Sequence, residues 1–77
     1  GRQAVSLTAD GSVYLGAVLV PEGAEGLKPY ILEGNQTIPG YKVYLRADSN
    51  VPHRYVREVM EAVAECGVFD VIFANKK

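Results

Sequence analysis

The stretch VYLRADSNVPHRYVREVMEAVAECGVFDVIFA, from Val43 to Ala74, decides the fold. Apolar and polar residues alternate at its start, which predicts a β-strand over Lys42–Ala47. Apolar residues then recur at helical spacing, which predicts a helix over Pro52–Cys66 that ends at Gly67. Alternation returns over Phe69–Phe73 and predicts another strand. A strand, a helix and a strand in this order form a βαβ unit, so we expect the two strands to be parallel.

The chain upstream of this unit opens with a β-hairpin. Residues alternate in Val5–Ala9 and again in Ser12–Leu15. Asp10-Gly11 lies between them, and this dipeptide tolerates the positive φ angles of a tight hairpin turn. The alternation predicts that one face of the hairpin is buried and consists of Val5, Leu7, Val13 and Leu15.

The middle of the chain predicts a short helix near Glu22–Glu33, with Leu27 and Ile31 on its apolar side. Pro29 has no backbone N–H and is tolerated without cost only in the first turn of a helix. The helix is therefore expected to begin near Leu27 or Lys28. Gly34-Asn35 is the expected end, because these residues favour the conformation that terminates a helix.

Together these elements predict an α+β domain that spans residues 1–77 in the order β-β-α-β-α-β. We expect two layers, with a mixed sheet and two helices on one of its faces. We expect the tail from Asn75 onward to be mobile. The predicted core of the βαβ unit consists of Val43, Leu45, Val56, Val59, Met60, Val63, Phe69, Val71 and Phe73.

The other face of the sheet carries the candidate binding residues. Alternation places Tyr14, Tyr44, Arg46 and Ile72 there, together with Thr8. Tyrosine and arginine are enriched in protein interfaces, so this face is a candidate surface for dimerisation or partner binding. Ordinary cross-strand pairing on a solvated face is the alternative interpretation.

Composition excludes several classes of function. The formal net charge is -1 and the sequence pI is about 5.7, which argues against a nucleic-acid module bound through phosphates. The chain has one cysteine, so neither an intramolecular disulfide nor a cysteine metal cage can form. The apolar run Ala17–Val20 is too short to cross a bilayer, which takes roughly 20 residues.

The polar residues do not form a recognised catalytic, metal or cofactor motif, so we expect no enzyme activity, metal or cofactor. His53 has no partner at a metal-ligand spacing, and we interpret it as a surface residue of the first helical turn. We interpret Cys66 as a small buried apolar residue near a helix end. Asp48 follows a parallel strand, where α/β folds bind ligands, but ordering of the next turn is the favoured interpretation.

The charges of the second helix oppose its dipole, with Arg54 and Arg57 near the N-terminus. Either these cations pair with Asp48 or Glu61, or they form a basic site for an anionic partner.

The strand, helix and strand of residues 43–74 resemble the ExbD/TolR family in order, spacing and residue type. The front stretch VSLTADGSVYLG resembles the opening hairpin of that family. The middle region carries more glycine and proline than is usual for the first helix of the family.

The resemblance implies a non-catalytic protein of the bacterial inner membrane with its C-terminal domain in the periplasm. It implies homodimers, an ExbB/TolQ-like channel subunit, a TonB/TolA-like partner driven by proton flow, and contact with peptidoglycan. The family's N-terminal transmembrane helix and its proton-linked aspartate are not among these residues. Two alternatives stay open: a small α+β enzyme or ligand-binding domain, including a peptidoglycan-binding domain not tied to a TonB-like partner, and a nucleic-acid module of similar layout.

Overall fold

The computed structural model describes residues 2–74 and contains a mixed five-stranded sheet and two helices. None of the described helices has the length and hydropathy needed to cross a membrane. The elements in chain order are β1 Arg2–Leu7, β2 Val13–Leu15, β3 Val18–Val20, α1 Gly23–Thr37, β4 Lys42–Ala47, α2 His53–Glu65 and β5 Val71–Phe73. The tail, Asn75–Lys77, lies outside the described residues.

The strand order in the sheet is β3-β2-β1-β4-β5. β1 and β2 form the predicted antiparallel hairpin. β4 lies parallel to β1 on one side and parallel to β5 on the other. The parallel pairing of β4 with β5 confirms the predicted βαβ unit, and the mixed sheet confirms the α+β class.

β3 was not predicted, so the sheet has five strands where the sequence indicated four. The turn before it contains Gly16 at a φ of 63°, a left-handed angle that glycine adopts without strain. β3 then pairs antiparallel with β2. Its three residues, VLV, give too short a run for alternation to distinguish a strand from a loop.

α1 is longer at both ends than the sequence predicted. It begins at Gly23, and Pro29 lies inside it. It continues past Gly34 to Thr37. Gly34 does not terminate the helix; it makes room for the Tyr41 ring, whose carbons would lie 2.5 Å from a Cβ at this position.

α2 ends where expected. Gly67 has a φ of 84°, and its N–H donates to the Ala64 carbonyl at 2.9 Å. The N–H of Val68 donates to the Val63 carbonyl at 3.3 Å. These two bonds form a Schellman motif, which satisfies carbonyl groups at the helix end.

Both helices pack on one face of the sheet around a single apolar cluster. Of the predicted core, Val43, Leu45, Val59 and Val63 are buried, and Val56 and Val71 are partly buried. Three residues were assigned wrongly. Met60 is 36% exposed, Phe73 is 50% exposed at the edge of the sheet, and Phe69 is 81% exposed.

The error at Phe69 arises because β5 begins only at Val71, so alternation does not apply two residues earlier. Val68 takes the buried position directly after the helix end. The hairpin prediction was closer. Val5, Leu7 and Val13 are buried, and Leu15 is partly buried against the same cluster.

Candidate functional site

The candidate site is the face of the sheet on which neither α1 nor α2 packs, which we call the open face. Side chains alternate between the two faces of a strand, so the strand register defines its members. They are Arg2, Ala4, Ser6, Tyr14, Leu19, Lys42, Tyr44, Arg46 and Ile72.

The four residues predicted for this face all lie on it. Tyr44 and Ile72 are direct partners across β4 and β5. Tyr14 and Arg46 lie on opposite sides of Ser6, which pairs with both. Thr8 does not belong to the open face, because β1 ends at Leu7 and the Thr8 hydroxyl donates to the Asp10 carboxylate in the following turn.

Small side chains in the central strand give the open face a shallow trough. Ser6 of β1 lies between Tyr14 on β2 and Arg46 on β4, and Ala4 of β1 lies beside Tyr44 on β4. Strands are spaced about 4.8 Å apart, so the two flanking strands lie roughly 10 Å from each other. This width accommodates an extended chain. At one side, a hollow of about 270 Å³ is lined by Arg2, Ala4, Tyr44, Arg46 and Ala74.

Three cations border this trough. Arg2 and Lys42 are direct partners at one end, and Arg46 lies four residues further along β4. The Arg2 guanidinium carbon lies 5.2 Å from the centre of the Tyr44 ring, a cation–π contact that orients both side chains. Within residues 2–74, none of these cations forms an ion pair; the ion pairs found there involve Lys28. A second hollow, of about 600 Å³, is lined by Arg2, Pro39, Gly40, Lys42 and Tyr44.

Between the two helices the side chains are mainly acidic. A groove of about 380 Å³ between α1 and α2 is lined by Glu22, Ala24, Glu25, Lys28, Glu58, Glu61, Ala62 and Glu65. The Lys28 ammonium lies 2.6 Å from a Glu65 oxygen and 3.2 Å from a Glu25 oxygen. Hydrogen bonds to Glu65, and then to Glu25, raise the pKa of Lys28. The sequence did not predict this groove, although the spacing of the glutamates along each helix was visible.

The structure agrees with the favoured interpretations of His53, Cys66 and Asp48 as a surface residue, a buried residue and a turn residue. His53 is exposed at the first position of α2. The Cys66 thiol is buried and donates to the Lys28 carbonyl oxygen at 3.4 Å, and burial raises its pKa. The Asp48 carboxylate accepts the Ser49 N–H at 2.8 Å and so orders the turn. No cluster of three or more possible metal ligands occurs in residues 2–74.

One interpretation expected the arginines of α2 to pair with Asp48 or Glu61, and the structure does not show these pairs in the described residues. Arg54 donates to the Tyr55 hydroxyl at 3.2 Å and lies over the same ring. In the described part of the chain, neither Arg54 nor Arg57 forms an ion pair with Asp48 or Glu61.

Comparison with known protein families identifies the group to which this fold belongs. The family model described as "Biopolymer transport protein ExbD/TolR" matches residues 3–77. The chain therefore belongs to the ExbD/TolR family, as the resemblance of residues 43–74 indicated. No individual curated protein gave a significant match.

Family membership implies a general role in transport. The family takes part in biopolymer transport and energy transduction and is not enzymatic. Its members are associated with the inner membrane, have a periplasmic domain, and associate with ExbB/TolQ and TonB/TolA-type systems.

Proposed function

We propose that this chain is the periplasmic interaction domain of an inner-membrane complex that uses the proton-motive force. In this proposal an ExbB/TolQ-like subunit conducts protons, and a TonB/TolA-like protein receives the energy. The domain spans residues 1–77 and catalyses no reaction. Membrane attachment comes from an N-terminal helix of the kind that the family carries. Membership of the ExbD/TolR family supports this assignment.

The domain acts by dimerising and by binding an extended segment of its partner. One observation carries this role: the open face presents Tyr14, Tyr44, Arg46 and Ile72 with no second layer of the described chain packed on it. Tyr14, Tyr44 and Ile72 are only partly buried. They supply apolar contact area, and Arg46 supplies a guanidinium that binds carboxylates with two hydrogen bonds.

The two edges of the sheet offer a second mode of contact. β3 and β5 each pair with one neighbour only, so their outer N–H and C=O groups have no partner strand among the described residues. An extended peptide satisfies such groups by adding a strand. A small domain with few buried residues also gains stability when more of its sheet is covered. We expect micromolar or weaker affinity, about -8 kcal/mol at most.

Amide chemical-shift mapping by NMR tests this role. Spectra are recorded over a series of domain concentrations, and then with a peptide from the linker of a TonB/TolA-like partner. We expect shifts on the open face or along β3 or β5, with little change at exposed helix residues such as Arg57 and Glu61. If no open-face or edge amide moves at millimolar concentration, the interaction role is wrong for this sheet.

A further inference from the structure

Acidic side chains concentrate in the helix layer of this small domain, although that layer also carries the cations Lys28, Arg54 and Arg57. The acidic groove lies between α1 and α2. The cations Arg2, Lys42 and Arg46 lie on the open face. The groove glutamates lie on the helix side of the sheet, and within residues 2–74 none of them forms an ion pair with these three cations. The open face is therefore locally basic although the formal net charge of the chain is -1.

We propose that the open face selects an acidic extended peptide segment, whose carboxylates bind Arg2 and Lys42 at one end of the trough and Arg46 at the other. This inference rests on the proposed function, and it specifies the chemistry of the partner. Charge complementarity supports it. In residues 2–74 no carboxylate pairs with the three cations. Asp70 precedes β5, and its carbonyl accepts the N–H of Val43, the residue after Lys42, but its carboxylate forms no ion pair with Lys42.

The spacing of the cations fits an extended chain. Lys42 and Arg46 are four residues apart on one strand, which is about 13 Å at 3.3 Å per residue. An extended peptide along β1 presents side chains on one side at intervals of roughly 6.6 Å. Two carboxylates four residues apart in that peptide therefore match the two ends of the trough.

The tyrosines explain why the ligand is a peptide and not a small anion. Ala4 and Ser6 form the floor of the trough; Tyr14 borders it beside Ser6 on the β2 side, and Tyr44 borders it beside Ala4 on the β4 side. An extended backbone fills the space above these small side chains, while its apolar atoms contact the rings. The contact between Arg2 and the Tyr44 ring holds the guanidinium at the border of the trough, so less ordering is needed when a carboxylate binds.

Two matched probe peptides test the preference for acidic ligands. One is a short peptide of alternating threonine and glutamate, and the other replaces each glutamate with glutamine. We expect the acidic peptide to bind about tenfold more tightly at low salt, because each exposed pair adds a few-fold and several act together. The advantage should shrink at high salt, since screening weakens exposed charge pairs.

Variants of the domain locate the site. The double variant Lys42→Gln/Arg46→Gln should lose most of the advantage of the acidic peptide and leave binding of the neutral peptide unchanged. Arg57→Gln is the matched control, since Arg57 is an exposed cation of α2. It should leave both affinities unchanged. Amide shifts should follow the open face in each titration.

The alternatives give different results. If both peptides bind the open face equally, the acidic preference is wrong and the proposed function stands. If neither peptide binds, the preference is again wrong, and the concentration series alone decides the proposed function. If soluble peptidoglycan fragments shift the open-face amides and the acidic peptide does not, the cations bind a glycan ligand and the inference is overturned.

Discussion

The Tyr41 side chain is 7% exposed, and its hydroxyl has no hydrogen-bond partner in the part of the chain that the structure describes. A buried polar group without a partner costs about 1–3 kcal/mol of desolvation. We therefore expect Tyr41→Phe to keep the free energy of unfolding unchanged or to raise it by up to that amount. Urea unfolding measures this, with Tyr44→Phe as the control on the open face. A clear loss of stability would mean that the hydroxyl has a partner.

The Tyr41 ring also determines whether a substitution at Gly34 stabilises or destabilises the fold. Glycine to alanine within a helix usually stabilises by ~0.5–1 kcal/mol. At Gly34 an added Cβ would lie 2.5 Å from the Tyr41 ring carbons, so Gly34→Ala should instead destabilise by about 1–3 kcal/mol. In a Tyr41→Leu background the penalty should fall, and a double-mutant cycle in urea measures the coupling. Equal penalties in both backgrounds would contradict the contact.

Burial also makes stability depend on pH in the alkaline range. Burial is the largest cause that raises the pKa of Tyr41 above 10.0 and of Cys66 above 9.0. Both groups are neutral when protonated, so unfolding lets them ionise at lower pH. The contribution of these two groups to the free energy of unfolding is complete below their pKa values in the unfolded chain. It is lost as the pH rises through their pKa values in the folded protein.

We therefore expect urea midpoints to decrease from about pH 8 upward, the range in which unfolded cysteine begins to ionise. Cys66→Ala should remove the first part of this decrease when both proteins are measured in reducing buffer. Identical pH profiles for the two proteins would show that Cys66 ionises equally well folded and unfolded.

Among the elements, α1 contains the largest difference between sequence and structure. A proline in the interior of a helix removes a hydrogen bond and costs about 3 kcal/mol relative to alanine. Pro29 is the seventh residue of a helix that begins at Gly23, and it is exposed. We expect Pro29→Ala to raise the free energy of unfolding by ~1–3 kcal/mol in urea. Glu33→Ala, also at an exposed position of α1, is the control and should change little.

This measurement also distinguishes the two helix boundaries. If α1 began near Leu27, as the sequence indicated, Pro29 would lie in the first turn and its replacement would gain almost nothing. An unchanged urea midpoint for Pro29→Ala would therefore favour a helix that begins near Leu27.

The elements with long periodic patterns were predictable from the sequence. α2 and β4 repeat their apolar positions over enough residues to identify both their type and their buried face. α1 was not predictable in extent, because Leu27 and Ile31 are fully buried and tertiary packing outweighs the local cost of Pro29 and the glycines. β3 and β5 are three residues each, so their pairing, rather than their own pattern, defines them.

The candidate site was predictable in part. Alternation along the strands placed Tyr14, Tyr44, Arg46 and Ile72 on one face. It did not identify Arg2 and Lys42 as neighbours, because their contact depends on the parallel pairing of β1 with β4. That pairing joins the hairpin to the βαβ unit over a long separation in sequence, and no local pattern specifies it.

At the scale of the whole molecule, a five-stranded sheet with two edges has to control what pairs with them. On β5 the hydrogen bonds identify the groups that face outward. The Val43 N–H donates to the Asp70 carbonyl at 3.2 Å, and the Ala74 N–H donates to the Leu45 carbonyl at 2.9 Å. Backbone groups alternate in direction along a parallel strand, so the N–H groups of Val71 and Phe73 point away from β4.

Phe73→Pro therefore removes one outward donor without removing a hydrogen bond to β4. Proline is tolerated at such an edge position, so the domain should still fold, with a melting temperature within a few degrees of the parent. Ile72→Pro is the contrasting variant, because the Ile72 N–H faces β4 and its loss should destabilise the sheet.

If self-association or peptide addition uses the β5 edge, Phe73→Pro should weaken that association about tenfold or more, since one backbone hydrogen bond and the Phe73 ring are lost. Concentration-dependent amide shifts along β5 measure the effect. Association as strong as in the parent would exclude the β5 edge and leave β3 or the open face as the surface in use.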